Sequence, residues 1–181
     1  MIVVCGEALV DLVPDDNSAA RYTAIPGGSP ANAAVALARL GVPTALLARL
    51  SGDAFGRRLR AHLEANDVDL SFAVRAAEAS SLAIVELDEH GAASYRFDLD
   101  GRADWQWVDA EFPARLPAGV VAVHTGSLAL ALSPGNAAVE RCQRRVKTNP
   151  LSTVENGPPP VGHLSVVSAA GTRPRSLFLS R

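Results

Sequence analysis

Cysteine is scarce in this sequence, since Cys5 and Cys142 are the only two among 181 residues. Two isolated thiols have neither the number nor the spacing of a disulfide framework or a metal site. Long apolar runs are also missing, because none approaches the roughly 20 residues that span a bilayer. The N-terminal segment has no basic stretch and carries Glu7, unlike a signal peptide. We therefore expect a cytoplasmic protein with no membrane partner.

The sequence also has little excess charge, with a formal net charge of -2. Nucleic-acid binders usually carry a clustered basic excess, so we expect no nucleic-acid partner. The charge is unevenly distributed along the chain, because residues 1–142 have a formal net charge of -7 and residues 143–181 one of +5. The second segment also contains the only lysine, Lys147. Prolines interrupt every candidate element of the second segment. We therefore predict a folded domain over 1–142 and a divergent, disordered tail over 143–181.

Strand and helix signals alternate at the start of the chain. Ile2–Cys5 is an apolar, β-branched run, typical of a strand buried on both faces of a parallel sheet. Ser29 is the predicted N-cap of a helix over Pro30–Leu40. Thr44–Leu50 is a second buried strand, and a second helix begins at Asp53. This order predicts an α/β fold with a parallel sheet.

A predicted β-hairpin interrupts the alternation. Leu82–Leu87 and Ala93–Phe97 are strand-like runs joined by a turn that contains Gly91. Arg21–Ile25 is a further candidate edge strand. Because a hairpin does not fit inside a parallel series, we expect these three runs to form a small separate sheet. The buried-strand pattern resumes at Val120–His124.

The densest functional signal is the string Gly-Gly-Ser-Pro-Ala-Asn at 27–32. Paired glycines let a ligand approach the backbone, and a helix start offers unpaired N–H groups. Asn32 adds a donor and an acceptor, and together these groups would suit a polyol. The string also fits a tight turn into a capped helix. Taken alone, it is compatible with a binding site and with a purely structural turn. It is not a phosphate-binding loop, because no lysine follows the glycines at the required spacing.

Asp11 is the second signal. It follows the first predicted strand, near the edge where open α/β sheets place their ligands. A carboxylate there can accept two hydrogen bonds from neighbouring hydroxyls. A lone acid is more often a surface residue, and Glu7 is an equal rival for the role.

Taken together, these residues resemble a known family. Residues 27–41, followed by Gly52–Gly56, resemble the first signature of the ribokinase-like carbohydrate kinases, the PfkB family. Gly6–Asp11 resembles the opening of its fructokinase-like branch. The resemblance covers most of 1–142 and implies a three-layer α/β/α domain with a small β-lid, truncated in this sequence. It implies an ATP-dependent sugar kinase that uses ATP and Mg, of which this chain carries the sugar-binding half.

The resemblance also implies the site. The positions that match those holding a small sugar substrate are Asp11, Gly27, Gly28 and Asn32, with Arg96 and Phe97 from the lid and Gly126-Ser127 near the same pocket. No catalytic, nucleotide-binding or metal-binding residue is assigned. The family's second signature, Gly-Ala-Gly-Asp, supplies the anion hole and the general base, and it does not occur in this sequence.

Several alternatives stay open at this stage. The chain could be a non-catalytic truncated or frameshifted fragment, at most a weak sugar-binding module. The sugar could be fructose, ribose, 2-keto-3-deoxygluconate or a nucleoside, since all use the same signature. The resemblance also suggests a homodimer in which two chains associate through the lid.

Overall fold

A computed structural model describes residues 1–15, 18–87, 93–147 and 165–168 of the chain. In chain order its strands are β1 (Ile2–Cys5), β2 (Leu9–Asp15), β3 (Ser18–Gly27), β4 (Thr44–Leu47), β5 (Arg49–Ser51), β6 (Val74–Ala76), β7 (Leu82–Leu87), β8 (Ala93–Asp98), β9 (Ala122–Thr125) and β10 (Ser165–Ser168). The helices are α1 (Ser29–Arg39), α2 (Ala54–Glu64) and α3 (Asn136–Lys147), with short 3-10 helices η1 (Ala103–Trp105), η2 (Asp109–Glu111) and η3 (Leu128–Leu130).

The main sheet is parallel and has the strand order β10-β9-β1-β4. Strand β1 lies inside the sheet, and successive side chains point to opposite faces, so Val3 and Val4 are both fully buried. Val4 packs in a cluster with Leu59 of α2, whereas Val3 packs in a second cluster with Trp105 of η1 and Val139 of α3. Helical layers therefore cover both faces, which confirms the predicted three-layer α/β/α fold. No helix within the described ranges is long and apolar enough to cross a membrane.

A second sheet, which we call the lid, has the strand order β3-β2-β7-β8. The predicted edge strand and hairpin both lie in it, as expected, and the hairpin turn at 88–92 lies outside the described residues. Strand β2 is not among the elements predicted from the sequence, because Pro14 and Asp15 are residue types typical of turns. Both residues pair with β3 instead, and a register irregularity lies between them.

The predicted strand Thr44–Leu50 is wrong as a single element. The chain leaves the main sheet after Leu47, and β5 pairs with β6 in a separate two-stranded sheet. At the break, the N–H of Val74 donates to the carbonyl oxygen of Ala48 at 2.8 Å. A continuous apolar run shows burial, but it does not show where a strand changes partners.

The predicted N-cap Ser29 is also wrong, because Gly28 occupies that position. Gly28 has a φ of 100°, a conformation that glycine adopts without strain. A Cβ on Gly28 would lie 2.7 Å from the carbonyl oxygen of Glu7, so the backbone leaves no room for a side chain. The sequence located the helix start to within one residue but did not resolve which residue capped it.

Two of the described elements include residues of the segment 143–181, for which we expect a disordered tail. Helix α3 continues to Lys147, and β10 pairs in parallel with β9. The β-branched pair Val166-Val167 lies within this added strand. Residues 148–164 and 169–181 lie outside the described part of the chain, so the division at 142 stays a prediction.

Asp53 is the N-cap of helix α2, so the predicted start of this helix is confirmed to within one residue. Its Oδ1 accepts the N–H of Gly56 at 2.7 Å, and its Oδ2 accepts the N–H of Ser80 at 2.8 Å. Partial burial raises the pKa of Asp53, but the hydrogen bonds from Ser80 and Gly56 outweigh it and hold the pKa below its usual value. The ionised side chain therefore stabilises both the helix start and the Ser80 segment.

Replacing Asp53 with alanine is expected to lower the free energy of unfolding at pH 7 by about 1–3 kcal/mol. A folded-state pKa below the unfolded value means that this stabilisation exists above the unfolded pKa and is lost as the pH falls through the folded pKa. Urea denaturation at neutral and at acid pH measures both effects, with Glu64→Gln at the exposed end of α2 as the control. An equal effect of Asp53→Ala at both pH values would contradict this account.

Candidate functional site

A cavity of about 230 Å³ lies between the main sheet and the lid. Its walls come from the ends of β1 and β9, from β2 and β8, and from the start of α1. The lining residues are Glu7, Leu9, Asp11, Gly28, Ser29, Tyr95, Phe97, Ser127 and Leu128. The carboxyl ends of the parallel strands β1 and β9 open here, where open α/β sheets bind their ligands. The volume lies below the roughly 300–1,000 Å³ of pockets for drug-sized molecules, so it fits a small ligand.

Glu7 anchors one wall of the cavity although only 1% of it is exposed. Its Oε1 accepts the hydroxyl of Ser127 at 2.7 Å, and its Oε2 accepts the Ser127 N–H at 3.0 Å. The N–H of Ala129 donates to Oε2 at 3.4 Å. A buried carboxyl group needs such donors to offset its lost hydration. Glu7 therefore links the end of β1 to the loop after β9, and both Glu7 and Ser127 were candidates from the sequence.

Asp11 faces the cavity because of the alternation of β2. Leu9 and Asp11 lie two residues apart and both line the cavity, whereas Val10 between them is fully buried in the core. In the register of the lid, Leu9 pairs with Gly27. A Cβ on Gly27 would lie 2.2 Å from Oδ2 of Asp11, so the glycine leaves room for the carboxyl group. Burial raises the pKa of Asp11 above its usual value.

Of the string at 27–32, only Gly28 and Ser29 line the cavity, and Asn32 does not. Gly28 lines the cavity, whereas Asn32 is exposed and lies outside the lining set. The Asn32 N–H donates to the carbonyl oxygen of Gly28 at 2.9 Å, which closes the first turn of α1. Ala31 and Ala34 form the buried side of that helix. A role for Asn32 in binding stays a prediction.

Strand β8 brings Phe97 to the cavity and directs Arg96 away from it. The rings of Tyr95 and Phe97 stack with centroids 6.3 Å apart and planes at 19°, and both line the cavity. The Arg96 side chain between them is 71% exposed, and its Nε lies 3.5 Å from Oε1 of Glu86. Tyr95 was missed in the sequence, although the period of two residues already placed it on the face of Phe97. A role for Arg96 stays a prediction.

The lining of this cavity does not fit the triphosphate of the ATP that the resemblance implied. Within the described ranges, no group of three His, Cys, Asp or Glu side chains could hold a metal ion. The described cavity lining contains two carboxyl groups and no lysine or arginine, so it offers no positive charge to a triphosphate. No step of a reaction is assigned to either group here.

The sequence matches the model of the pfkB family carbohydrate kinases over residues 1–158. Among curated proteins, the fructokinase of Klebsiella pneumoniae is 36% identical over 148 residues, which cover 79% of this chain and 47% of the relative. The fructokinase of Rhizobium leguminosarum bv. trifolii is 37% identical over 136 residues, which cover 74% of this chain and 41% of the relative. The chain thus spans about half the length of the curated relatives it matches.

A solved structure supports the same relationship. The fructokinase of Vibrio cholerae O395 with fructose, ADP and calcium ion bound has a TM-score of 0.73 and 30% identity, covering 92% of this chain and 49% of that one. The predicted fold and family resemblance are both confirmed. The chain belongs to the pfkB family of carbohydrate kinases.

Proposed function

We propose that these residues form the sugar-binding part of an ATP-dependent, fructokinase-like kinase. The observation that carries the proposal is the composition of the cavity, whose lining combines the acids Glu7 and Asp11 with the stacked rings of Tyr95 and Phe97. Sugars need hydrogen-bond acceptors for their hydroxyls and an apolar surface for their C–H groups. The cavity offers both within a volume suited to one monosaccharide.

Asp11 is the proposed hydroxyl acceptor. Each carboxylate oxygen can accept hydrogen bonds, so two neighbouring hydroxyls of one sugar can donate to the same side chain. Glu7 has Ser127 and Ala129 as donors and is therefore the less available acceptor. Gly28 lets the sugar approach the backbone, and the two aromatic rings of the lid can pack on the apolar face of the ligand.

Fructose is the proposed sugar, and ATP the proposed phosphoryl donor. The Vibrio cholerae structure with fructose, ADP and calcium ion supports both, since it has 30% identity to this chain. The nucleotide and its metal ion would need groups other than those that line the described cavity. The cytoplasmic location expected from the sequence is part of the same proposal.

The alternative function is sugar binding without catalysis. It is favoured by the lining of the cavity, which provides polar contacts for a polyol but no cation for a phosphoryl group. The two proposals agree on the ligand and differ on turnover.

The homodimer through the lid is a further part of the proposal. Strands β3 and β8 form the two edges of the lid sheet as described, and an edge strand is a ready site for pairing with another chain. Tyr22 and Ile25, both in the edge strand β3, are exposed large hydrophobic side chains. These features support association through the lid.

The test of the sugar site is a fructose titration of the 181-residue chain followed by NMR. We expect saturable shifts of the amides of Glu7, Gly28 and Ser127, and no shifts along α2. Tyr95→Ala should weaken binding by up to roughly tenfold, because an aromatic contact formed on binding is worth about 0.5–1.5 kcal/mol. Tyr22→Ala is the matched control, since Tyr22 is a similarly exposed lid tyrosine outside the cavity. Equal losses in both variants, or no saturable shifts in the wild type, would contradict the assignment.

A further inference from the structure

Asp104 lies behind the cavity wall and touches its backbone. It belongs to η1, and only 1% of it is exposed. The N–H of Ala8 donates to Oδ1 of Asp104 at 2.9 Å, across 96 residues of sequence. Ala8 lies between Glu7 and Leu9, and both neighbours line the cavity, whereas Asp104 does not. The hydrogen bond between Ala8 and Asp104 therefore holds the backbone of the cavity wall from the core of the protein.

Arg49 holds the start of η1 in place. It is 7% exposed, and its Nη1 donates to the carbonyl oxygen of Ala103 at 3.0 Å. The guanidinium also lies 3.1 Å from Glu78 and 3.1 Å from Glu111. The N–H of Ala103 donates to the carbonyl oxygen of Ala79 at 2.9 Å. Because these contacts hold the backbone next to Asp104, the carboxyl group is a fixed point from which Ala8 is held.

A displacement of the Ala8 backbone would also move the cavity residues that pack against it. The Gly28 backbone packs closely on the Glu7-Ala8 peptide, since a Cβ on Gly28 would lie 2.7 Å from the Glu7 carbonyl oxygen and 3.2 Å from the Ala8 Cα. On the other side, Glu7 holds Ser127 through two hydrogen bonds shorter than 3.1 Å. The wall at 7–9 is thus packed between α1 and the loop after β9, with Asp104 behind it.

The charge of Asp104 changes near neutral pH. Burial raises the pKa of Asp104 to about 7, and the negative charge of Glu7 adds to the rise. The hydrogen bond from the Ala8 N–H acts in the opposite direction. The positive charge of Arg49 is directed to Glu78 and Glu111 rather than to Asp104.

We propose that Asp104 is a positioning residue that sets the place of Glu7, Ala8 and Leu9 in the cavity wall. It acts through the Ala8 N–H and makes no contact with the ligand. The effect on sugar affinity rests on the proposed sugar site, whereas the effect on the wall does not. Removing the acceptor would leave the buried Ala8 N–H without its partner and free the wall to shift.

The experiment compares wild type, Asp104→Asn and Asp104→Ala by NMR from about pH 5.5 to 8.5. In the wild type, the Ala8 amide proton should move downfield as the pH rises through about 7, because an ionised carboxyl group is the stronger acceptor. The Ser127 amide should follow with the same midpoint. Asp104→Asn keeps an acceptor oxygen but cannot ionise, so both titrations should disappear. Asp100→Asn, which neutralises a neighbouring exposed acid, is the control and should leave them unchanged.

Fructose affinity gives the second readout. Asp104→Asn should keep the dissociation constant within about twofold of the wild type at pH 7, whereas Asp104→Ala should raise it roughly tenfold. A flat Ala8 titration in the wild type, or one retained in Asp104→Asn, would overturn the proposal. If Asp104→Ala does not fold, the pH titrations of the Ala8 and Ser127 amides in the wild type and in Asp104→Asn decide whether the proposal holds. Titrations as expected without any fructose binding would support the positioning role and reject the proposed sugar site.

Discussion

Incubated with fructose, ATP and Mg²⁺, the 181-residue chain is expected to release no fructose-dependent ADP. Phosphoryl transfer depends on positioning and on neutralising the charge that develops on the transferred group. Loss of a single preorganised donor at such a site typically costs about 100- to 1,000-fold in rate. The described cavity lining has carboxyl groups at Glu7 and Asp11 and no cationic side chain, and the Gly-Ala-Gly-Asp string does not occur in the sequence.

A coupled assay of ADP release measures this, with the fructokinase of Klebsiella pneumoniae assayed alongside as the positive control. Turnover by the 181-residue chain within about tenfold of that enzyme would contradict the prediction, because the residues given would then suffice for catalysis. Fructose binding without turnover supports assigning sugar recognition to these residues. The absence of both would leave the fold as the only feature shared with the relatives.

Local patterns in the sequence predicted the elements that depend on local chemistry. The apolar β-branched run at Ile2–Cys5 became the buried strand β1, and Asp53 capped α2 as expected. The two runs of the hairpin paired in the predicted antiparallel manner within a separate sheet. Each of these depends on periodicity or on capping within a few residues, which a single sequence records directly.

The composition of the site was harder to predict. It depends on the direction in which each side chain points and on contacts between residues far apart in the sequence, and a single sequence shows neither directly. Alternation in β8 put Tyr95 and Phe97 on one face and Arg96 on the other, but only the fold shows which face meets the cavity. Asp104 was not among the candidates from the sequence at all. Its partner is the backbone of Ala8, and nothing in the adjacent residues signals a contact made across 96 positions.

Replacing Gly27 with alanine is expected to raise the dissociation constant for fructose by roughly 10- to 100-fold, the equivalent of losing hydrogen bonds to a charged group. The new Cβ would lie 2.2 Å from Oδ2 of Asp11, so the carboxyl group would have to rotate out of its present place. Gly52→Ala is the matched control, because its Cβ would meet only the end of the Arg75 side chain at 3.8 Å. Calorimetric titration with fructose measures the affinity, and thermal melting checks that both variants fold.

A double-mutant comparison shows whether the effect of Gly27→Ala passes through Asp11. Asp11→Ala alone should weaken fructose binding to a similar extent, because it removes the proposed hydroxyl acceptor. If the alanine at 27 acts by displacing that carboxyl group, the two changes share one mechanism, and the double variant should bind no more weakly than Asp11→Ala. Additive losses would mean that Gly27 contacts the sugar independently, through its backbone. Wild-type affinity in Gly27→Ala would instead show that the Asp11 carboxyl group is not held where the ligand binds, and the sugar site would then need a different acceptor.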